Sequence, residues 1–126
     1  GLAACLLGLK TADQVARDPL RGNLFENLVV SDLMKRNLNR DDEGELFFLR
    51  TSDGIETDVL RKTDRGLQPI EIKSAMTWTE SLADGLRRVR KLIPDAQDPT
   101  LIYCGNSYPA GAGDIARTNF LDGGRI

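Results

Sequence analysis

Pro69-Ile70-Glu71-Ile72-Lys73-Ser74 is the stretch from which the fold is read. Its two isoleucines alternate with Glu71 and Lys73, and period-two alternation marks a strand with one apolar and one charged face. Glu71 and Lys73 therefore leave the same face of one strand. Upstream, Ile55-Glu56-Thr57-Asp58-Val59-Leu60-Arg61-Lys62 reads as a second strand, and Thr63-Asp64-Arg65-Gly66 between them carries a turn signature. Taking those four residues as the loop pairs Lys62 with Leu67. Counting back sets Asp58 opposite Glu71 and Glu56 opposite Lys73. Directly opposed residues have Cβ atoms about 4.5–5.5 Å apart, and two carboxylates there repel unless a cation lies between them. A register slip of one residue would send the same groups to opposite faces.

Outward from this hairpin, Leu46-Phe47-Phe48-Leu49-Arg50 predicts a preceding strand, turned by Ser52-Asp53-Gly54. Before it, Asn23 to Leu38 carries the longest helical pattern. Its apolar residues (Leu24, Phe25, Leu28, Val29, Val30, Leu33, Met34, Leu38) cover more than half a face, which predicts a largely buried helix. Glu26 shares a face with Val30 and Leu33, where an unpartnered carboxylate is costly. Residues 1–9 predict a short buried helix, and a second one starts near Thr11 and stops before Pro19. After the hairpin, Ser81 is placed to cap a helix with Leu82, Leu86, Val89 and Leu92-Ile93 inside, ended by Pro94. Arg87, Arg88, Arg90 and Lys91 fall on its outer side. Thr100-Leu101-Ile102-Tyr103-Cys104 has the unbroken apolar character of a strand buried on both faces, parallel to a neighbour. Residues 105–113 form a Gly-rich, mobile loop, and Ile115 to Leu121 a last edge strand. Helix, three strands, helix, strand is an α/β pattern.

A chain of 126 residues suits one domain with one core. Net charge is −2, so any attraction to nucleic acid is local. Histidine is absent, which removes Ser-His-Asp and Cys-His mechanisms and every histidine metal site. Acid–base chemistry then falls to carboxylates, lysine, tyrosine or metal-bound water. Cys5 and Cys104 are far apart, which reads as two buried thiols in a reducing compartment. Residues 1–9 are apolar but too short to span a bilayer. No Gly-Lys-Ser/Thr follows the glycines of residues 106–113, so no phosphate loop is present there.

The chemistry-bearing set is Glu26 from the long helix, Asp58 and Glu71 from paired strands, and Lys73 beside them. Hard oxygen donors of this kind suit Mg²⁺ or Mn²⁺, and Mg²⁺ commonly takes one or two carboxylates and keeps several waters. Plainer readings stand beside this one. Asn23-x-x-Glu26 also fits a capping box. Any half-exposed strand can show Glu-Ile-Lys, with Glu56 and Lys73 as a weak surface pair. The basic run from Arg87 to Lys91 can face phosphates or simply be a solvated helix face. Trp78 can stack on a base or serve packing.

An acid, a spacer, then Glu-x-Lys on the next strand resembles the PD-(D/E)XK nuclease superfamily, the restriction-endonuclease-like fold. A longer set of motifs is similar to one family within reach of it. Gly1-Leu2-Ala3-Ala4 with Leu6-Leu7-Gly8, Gly22-Asn23-Leu24-Phe25-Glu26-Asn27, Gly54-Ile55-Glu56-Thr57-Asp58 and Pro69-Ile70-Glu71-Ile72-Lys73 resemble the C-terminal domain of unknown function carried by many prokaryotic AAA-type ATPases. The likeness covers about residues 1–105. It implies a three-layer α/β core, with a mixed central sheet flanked by helices. It also implies an ATPase domain before Gly1, with residues 1–126 one nuclease-like domain of a longer cytoplasmic protein. By position, Glu26 matches the helix acid, Asp58 the metal-binding acid, and Glu71 and Lys73 the Glu-x-Lys pair. The implied cofactor is Mg²⁺ or Mn²⁺ and the implied partner DNA, without any membrane. Arg87, Arg88, Arg90 and Lys91 are the candidate nucleic-acid contacts. Thr57 departs from the family, which has an aliphatic residue there. The alternative on the same fold is a non-enzymatic module that docks DNA or protein and regulates the ATPase.

Overall fold

The strand-forming stretches assemble into one five-stranded mixed sheet of order β1-β2-β3-β4-β5. The structure is a computed structural model and describes residues 12–17, 20–39, 45–111 and 114–125. The helix expected over residues 1–9, its neighbour's cap at Thr11 and the stop at Pro19 lie outside the described residues. Two helices lead: α1 (Ala12–Arg17) and α2 (Arg21–Asn39). The strands are β1 (Leu46–Arg50), β2 (Glu56–Thr63), β3 (Gly66–Ile72), β4 (Thr100–Tyr103) and β5 (Ala116–Asn119). Between β3 and β4 a 3₁₀ turn, Glu80–Ala83, runs directly into α3 (Asp84–Leu92), and a further 3₁₀ turn, Phe120–Arg125, follows β5.

β1, β2 and β3 are antiparallel, whereas β4 runs parallel to β3 and β5 parallel to β4. The β2–β3 register is the expected one, with Lys62 opposite Leu67. Pairing extends one rung further, Thr63 to Gly66, so the loop is only Asp64-Arg65. Gly66 takes φ +127°, which L side chains rarely adopt and glycine tolerates. β1 joins with a register irregularity between Phe47 and Leu49.

Strand alternation divides the core into two clusters on opposite faces. Val59, Ile70, Ile72 and Ile102 pack with Val29 and Leu33 of α2. Leu101 and Tyr103 pack with Ala83, Leu86 and Ile115 beneath α3. The result is a three-layer α/β core of helix, sheet and helix. β4 is buried along its whole length, as an apolar run between two parallel neighbours requires.

Three expectations are corrected. α2 is not largely buried: Leu28, Met34 and Leu38 are exposed. At about 100° per residue, Val29 and Leu33 lie on one side of the helix, whereas Met34 and Leu38 point away from the sheet. Ser81 does not cap α3, because the helix continues the preceding 3₁₀ turn and its N-cap position is Ala83. Leu92 is exposed rather than inside. Within the Gly-rich stretch, Tyr108 exchanges both backbone hydrogen bonds with Arg117, at 2.7 and 3.0 Å.

Candidate functional site

At the end of the β2–β3 ladder the two strands part, and polar side chains take over the pairing. The last paired rung is Val59 with Ile70. One residue back, the Asp58 carboxylate accepts the Ile72 N–H at 2.6 Å. Beside it, the buried Thr57 hydroxyl donates to the Ile70 carbonyl at 3.0 Å. The Asp58 carboxylate takes up an amide beyond the last rung, and the Thr57 hydroxyl adds a side-chain bond at that rung's carbonyl. Thr57 stands where the resembled family has an aliphatic residue. Its hydroxyl is a structural bond, which an aliphatic residue could not supply.

Glu71 stands on the α3 face of β3, under the first turn of that helix. Its side chain is 9% exposed. Oε1 pairs with the Lys73 ammonium at 2.8 Å, two residues on and just past the end of β3. Oε2 is buried with no hydrogen-bond partner, the one such side-chain atom among the described residues. A lone buried acceptor on a charged group is costly, and burial together with the neighbouring Asp58 pushes the Glu71 carboxyl above its ordinary range. The Asp58 carboxyl is also raised, by burial, although the Ile72 N–H and Lys73 pull it down. The Lys73 amine is raised: burial alone would lower it, but Glu71, Asp58 and Glu26 outweigh that. Beyond the strand end, the Lys73 N–H still donates to the Ile102 carbonyl at 2.9 Å, which locks its backbone onto β4.

Glu26 approaches from the other layer. Its helix packs on the Ile70–Ile72 face, so it reaches the same strand end from the opposite side. Its carboxyl is raised by burial and by Asp58, and lowered by Lys73. Asp58, Glu71 and Lys73 thus come together, with Glu26 at their edge. Among the described residues, no three acidic or thiol side chains gather into a ready metal cage. The Asn23-x-x-Glu26 pattern is no capping box, because the helix already starts at Arg21. The expected Glu56–Lys73 pair does not form, since Glu56 pairs instead with Arg50 at 3.0 Å. Glu56 still contributes: its charge raises Glu26, Asp58 and Glu71 alike.

A cavity of about 280 Å³ opens beside this group, lined by Glu56, Glu71, Lys73, Ser81, Gly85 and Arg88 among others. Of the four basic candidates, Arg88 lines the cavity and Lys91 is exposed. Arg87 is engaged by the Glu80 carboxylate, by the Glu80 carbonyl at 2.8 Å and by Asp84 at 3.2 Å. Arg90 is half-buried, with a partner of its own. Trp78 packs against the α3-side core, donates to Glu80 at 3.2 Å, and lies 4.1 Å beneath the Arg117 guanidinium. Cys104 is a free, half-buried thiol raised by burial. Two features escaped the sequence reading, the Thr57 bond and the closeness of Gly85 to Glu71. Neither leaves a local pattern.

Fold and site together define a three-layer α/β domain that carries a Glu-x-Lys pair where two central strands part. The chain belongs to the family described as Domain of unknown function (DUF4143), whose model matches residues 21–119. No curated protein and no solved structure matches it.

Proposed function

We propose that this domain is nuclease-like and holds one divalent cation, Mg²⁺ or Mn²⁺, between Asp58 and Glu71 for hydrolysis of DNA phosphodiesters. The observation that carries the reading is the buried, unpartnered Oε2 of Glu71, with Asp58 the acid next to it. A buried carboxylate oxygen without a donor, next to a second acid, calls for a cation or a proton. The donors fit a hard ion that takes one or two carboxylates and keeps its waters, so the absence of a third clustered acid among the described residues is compatible with Mg²⁺. Glu26 would add a further negative charge at the edge of the site. When bound, the cation supplies Lewis-acid chemistry that activates water and neutralises charge on a phosphate.

The chain's own residues do the rest. Asp58 is oriented by the Ile72 N–H. Lys73 is held by Glu71 but keeps its side chain 43% exposed, so its ammonium can turn to a phosphate at the cavity mouth. Arg88 and Lys91 offer further positive charge along α3. The domain works, in this reading, beside an AAA-type ATPase domain in a longer cytoplasmic protein. No helix among the described residues is long and apolar enough to cross a membrane.

A second reading has its own support. Asp58 already has a backbone donor, Glu71 already has Lys73, and Arg87 is tied to acids. Those partners suit a non-enzymatic module that docks DNA or protein and regulates the ATPase. Calorimetric titration with Mn²⁺ separates the two. Binding by the wild type that Asp58→Asn and Glu71→Gln both abolish supports the cation site. Absence of binding in the wild type refutes it and leaves the docking module.

A further inference from the structure

α3 carries a glycine at its second residue, a place where alanine would favour the helix by about 1 kcal/mol. The backbone does not ask for it: the described glycines with positive φ are Gly54 and Gly66, not Gly85. What Gly85 has is a neighbour. A Cβ built on it would lie 3.3 Å from Glu71 Oε2, and 3.4 Å from both Cδ and Oε1. All three carboxyl atoms thus rest against the bare Cα of one residue.

The helix cannot easily retreat to make room. Ala83 and Leu86, on either side of Gly85, are fully buried and packed with Leu101 and Tyr103. The helix amides do not take up Oε2 either, since it has no hydrogen-bond partner, and the Asp84 N–H donates to the Ser81 carbonyl. Side chain and helix meet without a hydrogen bond, so the fit is one of volume.

We propose that Gly85 is the positioning residue for Glu71: its missing side chain is the space that lets α3 close over the carboxylate and hold it, with Oε2 buried, beside Asp58. A methyl group there must displace something by a few tenths of an ångström, and the Glu71 side chain yields before the anchored helix does. For the cation the inference rests on the function proposed above. Mg²⁺-type ligation tolerates little deviation in distance, and loss of a supporting neighbour typically lowers metal affinity 10–100-fold.

The test compares wild type, Gly85→Ala, Glu71→Asp and the double variant. The first readout needs no metal: the ¹³C resonance of the Glu71 side-chain carboxyl, assigned by its disappearance in Glu71→Gln. Gly85→Ala should move that resonance while the melting temperature holds or rises. The second readout is Mn²⁺ affinity. Gly85→Ala should weaken it about tenfold, but add no further loss in Glu71→Asp, whose carboxylate is drawn back from α3. An unmoved Glu71 resonance overturns the inference, as does a Gly85→Ala loss that is the same in both backgrounds. If the wild type binds no Mn²⁺, the cation site falls, while the carboxyl resonance still decides what Gly85 does. If Gly85→Ala fails to fold, the double variant has room for the methyl and should fold. Failure of both refutes the positioning role.

Discussion

Replacing Glu71 by Gln removes a charge from a buried side chain and leaves its shape almost unchanged. Leaving a buried group unsatisfied costs about 1–3 kcal/mol and more when it is charged, so a neutral amide in its place relieves the charged part of that cost and not the whole. The group here is Oε2 of Glu71. Against that gain stands the Lys73 pair at 2.8 Å, whose lysine end is 43% exposed and screened, so its loss costs under about 1 kcal/mol. The net expectation for the metal-free protein at neutral pH is a gain of about 1 kcal/mol. Unfolding entropy of about 2.1 cal/mol/K per residue then converts this to a rise of about 4 °C in Tm. The effect has a definite pH dependence. The Glu71 carboxyl is raised by burial and by Asp58, so the folded state holds its proton more tightly than the unfolded chain does. Stability lost to ionisation is therefore fully lost above the folded pKa. It is regained as pH falls from there to the ordinary carboxylate value. The advantage of Glu71→Gln should accordingly shrink on acidification. Thermal melts followed by circular dichroism across the mildly acidic to neutral range, with chelator present, measure it. A Tm lowered by several degrees at pH 7, or an advantage indifferent to pH, would refute the reasoning. The first result would mean that the Glu71–Lys73 pair stabilises the fold outright, the second that the gain does not come from removing an ionised carboxylate.

Asp58→Asn should behave in the same direction with a smaller amplitude, since Asn keeps an acceptor for the Ile72 N–H; a destabilised metal-free variant in the same melts counts against repulsion at this strand end. Thr57→Val keeps the volume but removes the 3.0 Å bond to the Ile70 carbonyl, so urea unfolding should show a loss of about 0.5–1.5 kcal/mol, and a neutral result would deny that the hydroxyl helps to hold the strand end. Leu86→Ala, at a fully buried position of α3, should cost about 2–5 kcal/mol by the same assay.

The hairpin was readable because its information is local. Alternation in residues 69–74, a turn at residues 63–66 and simple counting place Asp58 and Glu71 in one register, and the pairing through Val59 and Ile70 agrees. The parallel, doubly buried β4 was readable for a similar reason, since an unbroken apolar run has no polar face to show to solvent. The exposure of Leu28, Met34 and Leu38 was not, because composition around a helix states how apolar it is, not how much of it the sheet can cover.

The sequence by itself determined the α/β class, the strand that carries Glu71 with Lys73 just past its end, and the family. These follow from periods of two and 3.6 residues and from motifs that span only a few positions. Only the tertiary structure decided how the acids meet. Glu26 arrives from the opposite layer, the Asp58 carboxylate is spent on a backbone amide, and Glu71 keeps one oxygen unpaired against Gly85. Those outcomes depend on where two strands part and how closely a helix packs onto them. Both are set by the filling of two separate core clusters from residues distant along the chain.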